Sequence, residues 1–362
     1  MPTETDPLPM PSDLADVAAP AGDSTPSVEP PSAKLIVRLF LIPLLIVAAA
    51  VGVMMLIGRM AGGPISAEKA LERLKNSGGG RTADVLVGPA SKQRYMDAKA
   101  LVDHMKQGLS EGQRIELTDQ LIDILDNHTS DNEGEVREVL LLALGRAWQI
   151  DPRHPTTDSA ESLAARQRAL QALLKYADAP ELAARKAAVL ATVYWKGRAE
   201  AKQIIPKLIA RLASPSEDLD VRMAAATVLG PLASGDDRDA IAALQSATRN
   251  TDEKEVELVW DASLSLAQLN QPEVADTILK LLSRQELKEL RYFDRESDPK
   301  NPVLRKLSEQ EQQRILINTM SGARHLEVPA VQDKLRDLAR NDPSPRVRAA
   351  GEEILKGEGT IE

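Results

Sequence analysis

The chain has 362 residues, no cysteine, a net charge of −9 and only 2% aromatic residues. The lack of cysteine excludes disulfides, a thiol nucleophile and a cysteine-bound metal. Abundant alanine and leucine with so few aromatic residues suit a helical core better than a barrel or a sandwich. The mildly acidic balance of 54 acidic against 45 basic residues argues against nucleic acid as a partner.

The first segment of the chain, residues 1–33, is rich in proline, serine, aspartate and alanine. It contains six acidic and no basic residues and shows no apolar periodicity. Such a segment cannot bury enough apolar surface to offset the entropy of ordering. We therefore interpret residues 1–33 as a disordered, acidic, proline-rich tail.

A run of 20 uncharged residues, LFLIPLLIVAAAVGVMMLIG, follows at positions 39–58. A helix of this length is about 30 Å long, which matches the hydrocarbon thickness of a bilayer. The sequence therefore predicts a transmembrane anchor over 34–62, with the lipid bilayer contacted by residues 39–58. Ala48 and Gly52 form a pair of small residues at helical spacing, which leaves self-association open without establishing it.

Charge counts leave the orientation of this anchor open. Lys34 and Arg38 precede the span, and four basic residues follow it by position 75, which favours a cytoplasmic C-terminal part. Conversely, anchors with basic residues directly before the span commonly keep their N-terminus inside. We favour this second arrangement, in which a single-pass protein of the cell membrane carries its helical domain on the extracytoplasmic side.

Beyond the anchor, the pattern indicates one short helix, a linker and a long helical region. Residues 63–89 are predicted to hold a helix capped by Ser66 and a glycine-rich linker. Helical periodicity recurs over 90–356, and a short tail follows at 357–362. Ten helices are expected before the pattern is interrupted, near 90–107, 111–127, 135–149, 160–176, 180–196, 202–213, 220–233, 237–249, 254–269 and 272–283.

The stretch 204–232 shows the repeating unit of the helical region. It has two apolar stripes at helical spacing, separated by an acidic turn. A hairpin this short cannot bury both stripes alone and needs a copy of itself on each side. Its recurring features are a proline in the first helix, a Val-Arg pair that opens the second helix, an alanine run and a Leu-Gly pair: Pro206, Val221-Arg222, Ala224-Ala225-Ala226 and Leu229-Gly230. Further Val-Arg pairs occur at Val136-Arg137 and Val347-Arg348.

These features resemble HEAT and HEAT-like repeats. Equivalent points, mostly arginines, recur at intervals of 48, 37, 35, 57 and 34 residues. Two-helix repeats of about 34–47 residues bracket the regular intervals, and the long intervals imply insertions. The resemblance implies an all-α fold, an armadillo-type α-solenoid of stacked helical hairpins preceded by one transmembrane helix. Arg137, Arg222 and Arg348 are expected to pair with acidic residues of neighbouring turns.

An insertion loop near 284–307 interrupts the repeats. Its middle lacks helical periodicity and holds the only adjacent aromatic pair of the chain. Insertions in repeat arrays lie on one face, often the binding face. The candidate partner-binding residues are therefore Arg291, Tyr292, Phe293, Asp294 and Arg295. The alternative, which we favour, is that the two aromatic side chains fill a gap in the core.

The sequence predicts no catalytic, cofactor-binding or metal-binding residues. The four histidines lack a second ligand at metal-binding spacing. Glycines 78–80 are not followed by the Lys-Ser/Thr of a phosphate-binding loop, and no nucleophile elbow occurs. Asp119, Asp123 and Asp126 recur on one face of a predicted helix, where we interpret them as solvated rather than cation-binding.

The resemblance to HEAT repeats implies a membrane-anchored scaffold that mediates protein–protein interaction, without catalysis and without a cofactor. The sequence does not identify the protein partner. One alternative is an enzyme subunit of the lyase type, because some HEAT-like repeats occur in lyases that act on tetrapyrrole-bearing clients. Another alternative is a structural role at the cell envelope.

Overall fold

The computed structural model describes residues 66–76, 89–105, 108–130, 133–150, 159–294 and 303–356. The predicted tails at 1–33 and 357–362 and the apolar run at 39–58 lie outside these ranges. Within them, no helix combines the length and apolar character that crossing a bilayer requires.

Fifteen α-helices and two short strands account for most of the described chain. In chain order they are α1 (Ala67–Asn76), α2 (Pro89–Met105), α3 (Glu111–Asn127), α4 (Gly134–Arg146), α5 (Ala160–Tyr176), α6 (Leu182–Ala191), α7 (Ala201–Ala213), α8 (Leu219–Leu232), α9 (Arg238–Thr248), α10 (Val256–Gln268), α11 (Ala275–Leu281), α12 (Arg284–Glu289), β1 (Arg291–Asp294), β2 (Val303–Lys306), α13 (Glu309–Ala323), α14 (Pro329–Asn341) and α15 (Pro345–Lys356).

The helices form hairpins that stack in two rows. The second helices of successive hairpins, α2, α4, α6, α8, α10, α13 and α15, pack one on the next along the described chain. First helices also pack on one another, as α3 does on α5, α9 on α7, and α14 on α11. This arrangement confirms the all-α solenoid predicted from the repeats.

Side-chain caps place several helix starts where the sequence predicts them. Ser110 and Gln113 form a reciprocal capping box at the start of α3, and the Ser159 hydroxyl accepts from the Ser162 N–H in α5. These caps satisfy backbone N–H groups that have no partner within the helix. α3 and α5 start at the predicted residues, and their full ranges agree with the predicted 111–127 and 160–176.

Small residues let successive second helices approach closely. A Cβ added to Gly145 in α4 would lie 2.5 Å from the Ala191 carbonyl oxygen at the end of α6. A Cβ added to Gly230 in α8 would lie 2.8 Å from the Ser265 Cα in α10. Because a real Cβ does not approach so closely, the Leu-Gly pairs of the repeat signature reflect helix–helix contact.

The valines and the proline of the repeat signature have distinct environments. Val136, Val221 and Val347 are buried near the start of their second helices. Pro206 lies inside α7 and is exposed, on the side away from the core. The arginine that follows each valine contacts polar atoms instead of the core.

A row of arginine–glutamate pairs joins successive second helices, and we term it the arginine ladder. Each arginine lies in one second helix, and its glutamate lies at or just before the start of the next. The negative carboxylate is favoured there by the partial positive charge of a helix N-terminus. The pairs are Arg94–Glu133 at 2.5 Å, Arg137–Glu181, Arg185–Glu217 at 3.3 Å and Arg222–Glu255 at 2.8 Å.

The ladder arginines also donate to carbonyl oxygens at the end of their own first helix or in the following turn. Arg94 reaches the Leu74 oxygen at 2.6 Å, and Arg185 reaches the Pro180 oxygen at 2.7 Å. Arg348 makes the corresponding bond to the Asp342 oxygen at 2.6 Å. Each guanidinium therefore satisfies carbonyls left open where a helix ends.

The ladder changes form in the C-terminal part, where α10 carries Glu257 at the position of the earlier arginines. Here Arg284 of α12 binds both carboxylate oxygens of Asp342, at 2.7 and 2.8 Å. Burial opposes ionisation of Asp342, but the hydrogen bond from Arg284 and the Ser344 N–H hold the pKa of this carboxyl below its usual value. A bidentate pair thus replaces the ladder contact.

We predict that Arg222→Ala costs about 2 kcal/mol of unfolding free energy, because it removes the guanidinium that binds the Glu255 carboxylate and the Leu212 carbonyl oxygen near the end of α7. The Arg222 and Glu255 side chains are only 14% and 21% exposed. Arg168→Ala is the matched control, since its pair with Asp119 is about half exposed on both sides, and it should cost about 0.5 kcal/mol or less. Urea unfolding followed by circular dichroism measures both, and equal small losses would contradict the structural role of the ladder.

Candidate functional site

The insertion folds as a two-stranded antiparallel ribbon rather than as the predicted loop. β1 and β2 pair with Arg291 opposite Lys306 and Asp294 opposite Val303. The residues between the strands, 295–302, lie outside the described part. The prediction of a loop was wrong for the strands because strand pairing depends on residues distant in the chain, which helical periodicity does not detect.

Four of the five candidate binding residues lie on β1. Arg291 is exposed, whereas the Tyr292 side chain is 7% exposed and belongs to the hydrophobic core. Phe293 and Asp294 continue the strand, and Arg295 lies beyond the described residues. The favoured alternative, in which aromatic side chains fill the core, therefore applies to Tyr292.

Three side chains fix the ribbon to α13, and we term them the ribbon anchor: Tyr292, Arg305 and Glu311. The Tyr292 hydroxyl donates to Glu311 at 2.6 Å. Arg305 donates to both oxygens of the same carboxylate, at 2.9 and 2.7 Å, and its guanidinium lies 4.6 Å from the centre of the Tyr292 ring. A planar guanidinium suits both contacts at once.

Glu311 is the centre of this anchor. It lies in the first turn of α13 and also accepts from the Ser308 backbone N–H at 2.8 Å. The hydrogen bonds from Arg305 hold the pKa of Glu311 well below its usual range, with help from Ser308 and Tyr292 and against the effect of burial. The carboxylate is therefore ionised at neutral pH and holds the ribbon in one position.

β2, which the sequence analysis did not single out, carries exposed side chains. Val303 and Leu304 are 55% and 43% exposed and belong to a small group of large apolar side chains at the surface. Lys306 is also exposed and pairs with Glu289 at 3.0 Å. Val303 and Leu304 are ordinary strand residues, so only their exposure in the folded chain distinguishes them.

Clefts also occur elsewhere in the described chain. A cavity of about 580 Å³ lies between α1, α2 and α3, with Leu71, Leu101 and His104 among its lining residues. A groove of about 930 Å³ lies at the C-terminal ends of α8, α10 and α13, lined in part by Lys196 and Arg324. Within the ranges that the structure describes, no three side chains are arranged to hold a metal ion.

The aspartates of α3 have basic partners on neighbouring helices. Arg168 of α5 lies 2.8 Å from Asp119, and Lys175 of α5 lies 2.8 Å from Asp126. Lys75 of α1 lies 3.4 Å from Asp123. These exposed pairs connect the first helices of adjacent hairpins, so the expectation of a merely solvated face was incomplete.

Comparison with models of known protein families gives no match, and comparison with curated proteins gives none either. Among solved structures, human deoxyhypusine hydroxylase in complex with glycerol is similar at 16% identity, over 83% of this chain and 98% of that chain, with a TM-score of 0.29. A TM-score this low carries no argument about fold or function.

We predict that Glu311→Gln lowers the melting temperature at neutral pH, because it weakens charge-assisted hydrogen bonds worth about 1–2 kcal/mol. The folded pKa of Glu311 lies below its ordinary value of 4.5. The stabilisation from its ionised form is thus fully present above about pH 4.5 and is lost as the pH falls further.

The difference in melting temperature between the parent and Glu311→Gln should therefore shrink on acidification from pH 7 to about pH 3. Glu353→Gln, at an exposed position on α15, is the matched control and should change little at either pH. A difference between parent and Glu311→Gln that is the same at both pH values would contradict the role of the carboxylate.

Proposed function

We propose that this protein is a membrane-anchored α-solenoid scaffold that binds a protein partner through β2 of its inserted ribbon, without a catalytic step. The observation that carries the proposal is the exposed apolar pair Val303 and Leu304 on a strand that the ribbon anchor holds in place. Single exposed apolar side chains are normal at a protein surface, whereas neighbouring ones mark candidate interaction sites.

The solenoid suits a scaffold because it presents a long, stiff surface. Its second helices are joined by the arginine ladder, and the ribbon is attached to the same body by Glu311. A binding strand that is already ordered loses little conformational entropy when a partner docks. Among the described residues of the ribbon, the exposed candidates are Arg291 on β1 and Val303, Leu304 and Lys306 on β2.

The proposed anchor is the uncharged run at 39–58. Its support is its length, its lack of charge and the basic residues on both sides. We propose a single-pass protein of the cell membrane whose solenoid lies on the extracytoplasmic side, with the acidic tail at 1–33 in the cytoplasm.

Removal of the ribbon should abolish partner binding. We predict that replacing residues 291–306 by a short Gly-Ser linker removes the crosslinked partner that the parent chain retains from native membranes, while the helical circular dichroism signal persists. The double substitution Val303→Asp with Leu304→Asp should have the same effect and leaves the ribbon anchor intact.

The matched control is Leu163→Asp on α5, because Leu163 is 45% exposed and lies far from the ribbon in the chain. This variant should retain the crosslinked partner. If the ribbon replacement and the control retain it equally, the ribbon is not the contact surface and the proposed site is wrong.

Membrane attachment is tested separately. We predict that the full chain stays in the membrane pellet after alkaline carbonate washing, whereas a chain that starts at residue 63 moves to the supernatant, because only the former holds an apolar segment long enough to span the bilayer. Protease added to intact cells should degrade the solenoid. Full protection of the solenoid in intact cells would contradict the proposed orientation, and release of the full chain by carbonate would contradict the anchor.

A further inference from the structure

We infer that β2 binds an extended, acidic segment of a partner protein, which joins the ribbon as a third strand. This inference rests on the proposed function and adds the chemistry and the conformation of the partner segment. It is carried by the order of the strands, by the exposure of their side chains and by their charges.

The ribbon has room for a third strand. Its sheet has two strands, β1 and β2, and within the described residues no further strand lies beyond β2. β1 also packs against the 3₁₀ turn Glu253–Glu255, whereas β2 carries the exposed apolar side chains of Val303 and Leu304. The outer edge of a sheet is a template for a further strand, and extended peptides commonly bind in this way.

The side chains of β2 match an extended apolar segment. Val303 and Leu304 are neighbours in the strand, so their side chains point to opposite faces of the ribbon. Both are about half exposed. A third strand with apolar residues at adjacent positions would cover one of them on each face, which a helix docked on a single face would not do.

The charges of the ribbon favour an acidic partner. β2 has the sequence Val-Leu-Arg-Lys and no acidic side chain. Of its two cations, Arg305 is bound to Glu311 and Lys306 is exposed. The exposed Arg291 and Lys306 stand directly opposite each other across the two strands, an arrangement of like charges that is unfavourable in a sheet. Glu289 interacts with both cations and pairs with Lys306 at 3.0 Å. Because Glu289 is 72% exposed, solvent screens its charge, and a further carboxylate on a neighbouring strand would still be favourable.

Two other occupants fit less well. A second copy of this chain would bring the same two cations of β2 and no acidic residue on that strand. The acidic tail at 1–33 has the right charge, but the proposed transmembrane anchor places it on the other side of the bilayer. A segment of a different protein satisfies both the charge and the topology.

The test uses the full chain in detergent micelles and two fluorescent synthetic peptides. Both contain adjacent valines, one for each face of the ribbon, and at the same two other positions one peptide carries glutamate and the other carries lysine. Fluorescence anisotropy measures the dissociation constants, with empty micelles as a blank. We expect the glutamate peptide to bind the parent chain at least about tenfold more tightly than the lysine peptide.

Charge reversal on β2 should exchange this preference. Lys306→Glu should weaken binding of the glutamate peptide about tenfold and strengthen binding of the lysine peptide. Lys356→Glu is the matched control, because Lys356 is an exposed lysine at the end of α15, and it should bind like the parent. Circular dichroism checks that all variants have the same helix content.

Three results would overturn the inference: binding of neither peptide, equal binding of both, or a dimer that forms through β2 and excludes the glutamate peptide. The capture experiment with the ribbon replacement distinguishes these three results from a failure of the proposed scaffold function. If the ribbon replacement still abolishes capture of the native partner, the scaffold function stands and only the strand-like acidic segment is wrong.

Discussion

The close approach of successive second helices is the constraint on which the rest of the structure depends. No single hairpin can bury both of its apolar stripes, so each needs a neighbour on both sides. Gly145 and Gly230 allow the helices to meet at distances that a Cβ would prevent. This proximity also brings each ladder arginine within reach of the next helix start, as at Arg222 and Glu255. Apolar packing therefore provides the contact area, and the ladder connects the hairpins in register.

The ribbon lies where the regular ladder ends. Glu255 accepts from Arg222, and the turn that contains Glu255 also packs against β1. Beyond this turn, Glu257 stands at the position of the earlier arginines, and Arg284 binds Asp342 across 58 residues of chain. The insertion thus lies where the regular series of arginine–glutamate pairs has ended. An irregular element at this point in the chain does not interrupt any pair of the ladder. The proposed binding strand is thus attached between packed helices that precede and follow it in the chain.

The anchoring of the ribbon separates its structural residues from its accessible ones. Tyr292 contributes its ring to the core and its hydroxyl to Glu311, so the aromatic pair that marks the insertion in the sequence is partly structural. Three exposed side chains, Val303, Leu304 and Lys306, lie on the opposite strand. The ribbon anchor fixes β2 before any partner binds. This favours binding by strand addition, because β2 loses little conformational entropy when a further strand pairs with it.

The sequence by itself determined the helical hairpins, because helical periodicity and serine caps act within one or two turns of chain. It located α3 and α5 accurately and identified Arg137 and Arg222 as repeat positions. Only the tertiary structure decided which residues meet. It added Arg94 to the ladder through Glu133, paired β1 with β2 and exposed Val303 instead of Tyr292. These outcomes join residues far apart in the chain, and the free energy of such contacts depends on packing that local pattern does not encode.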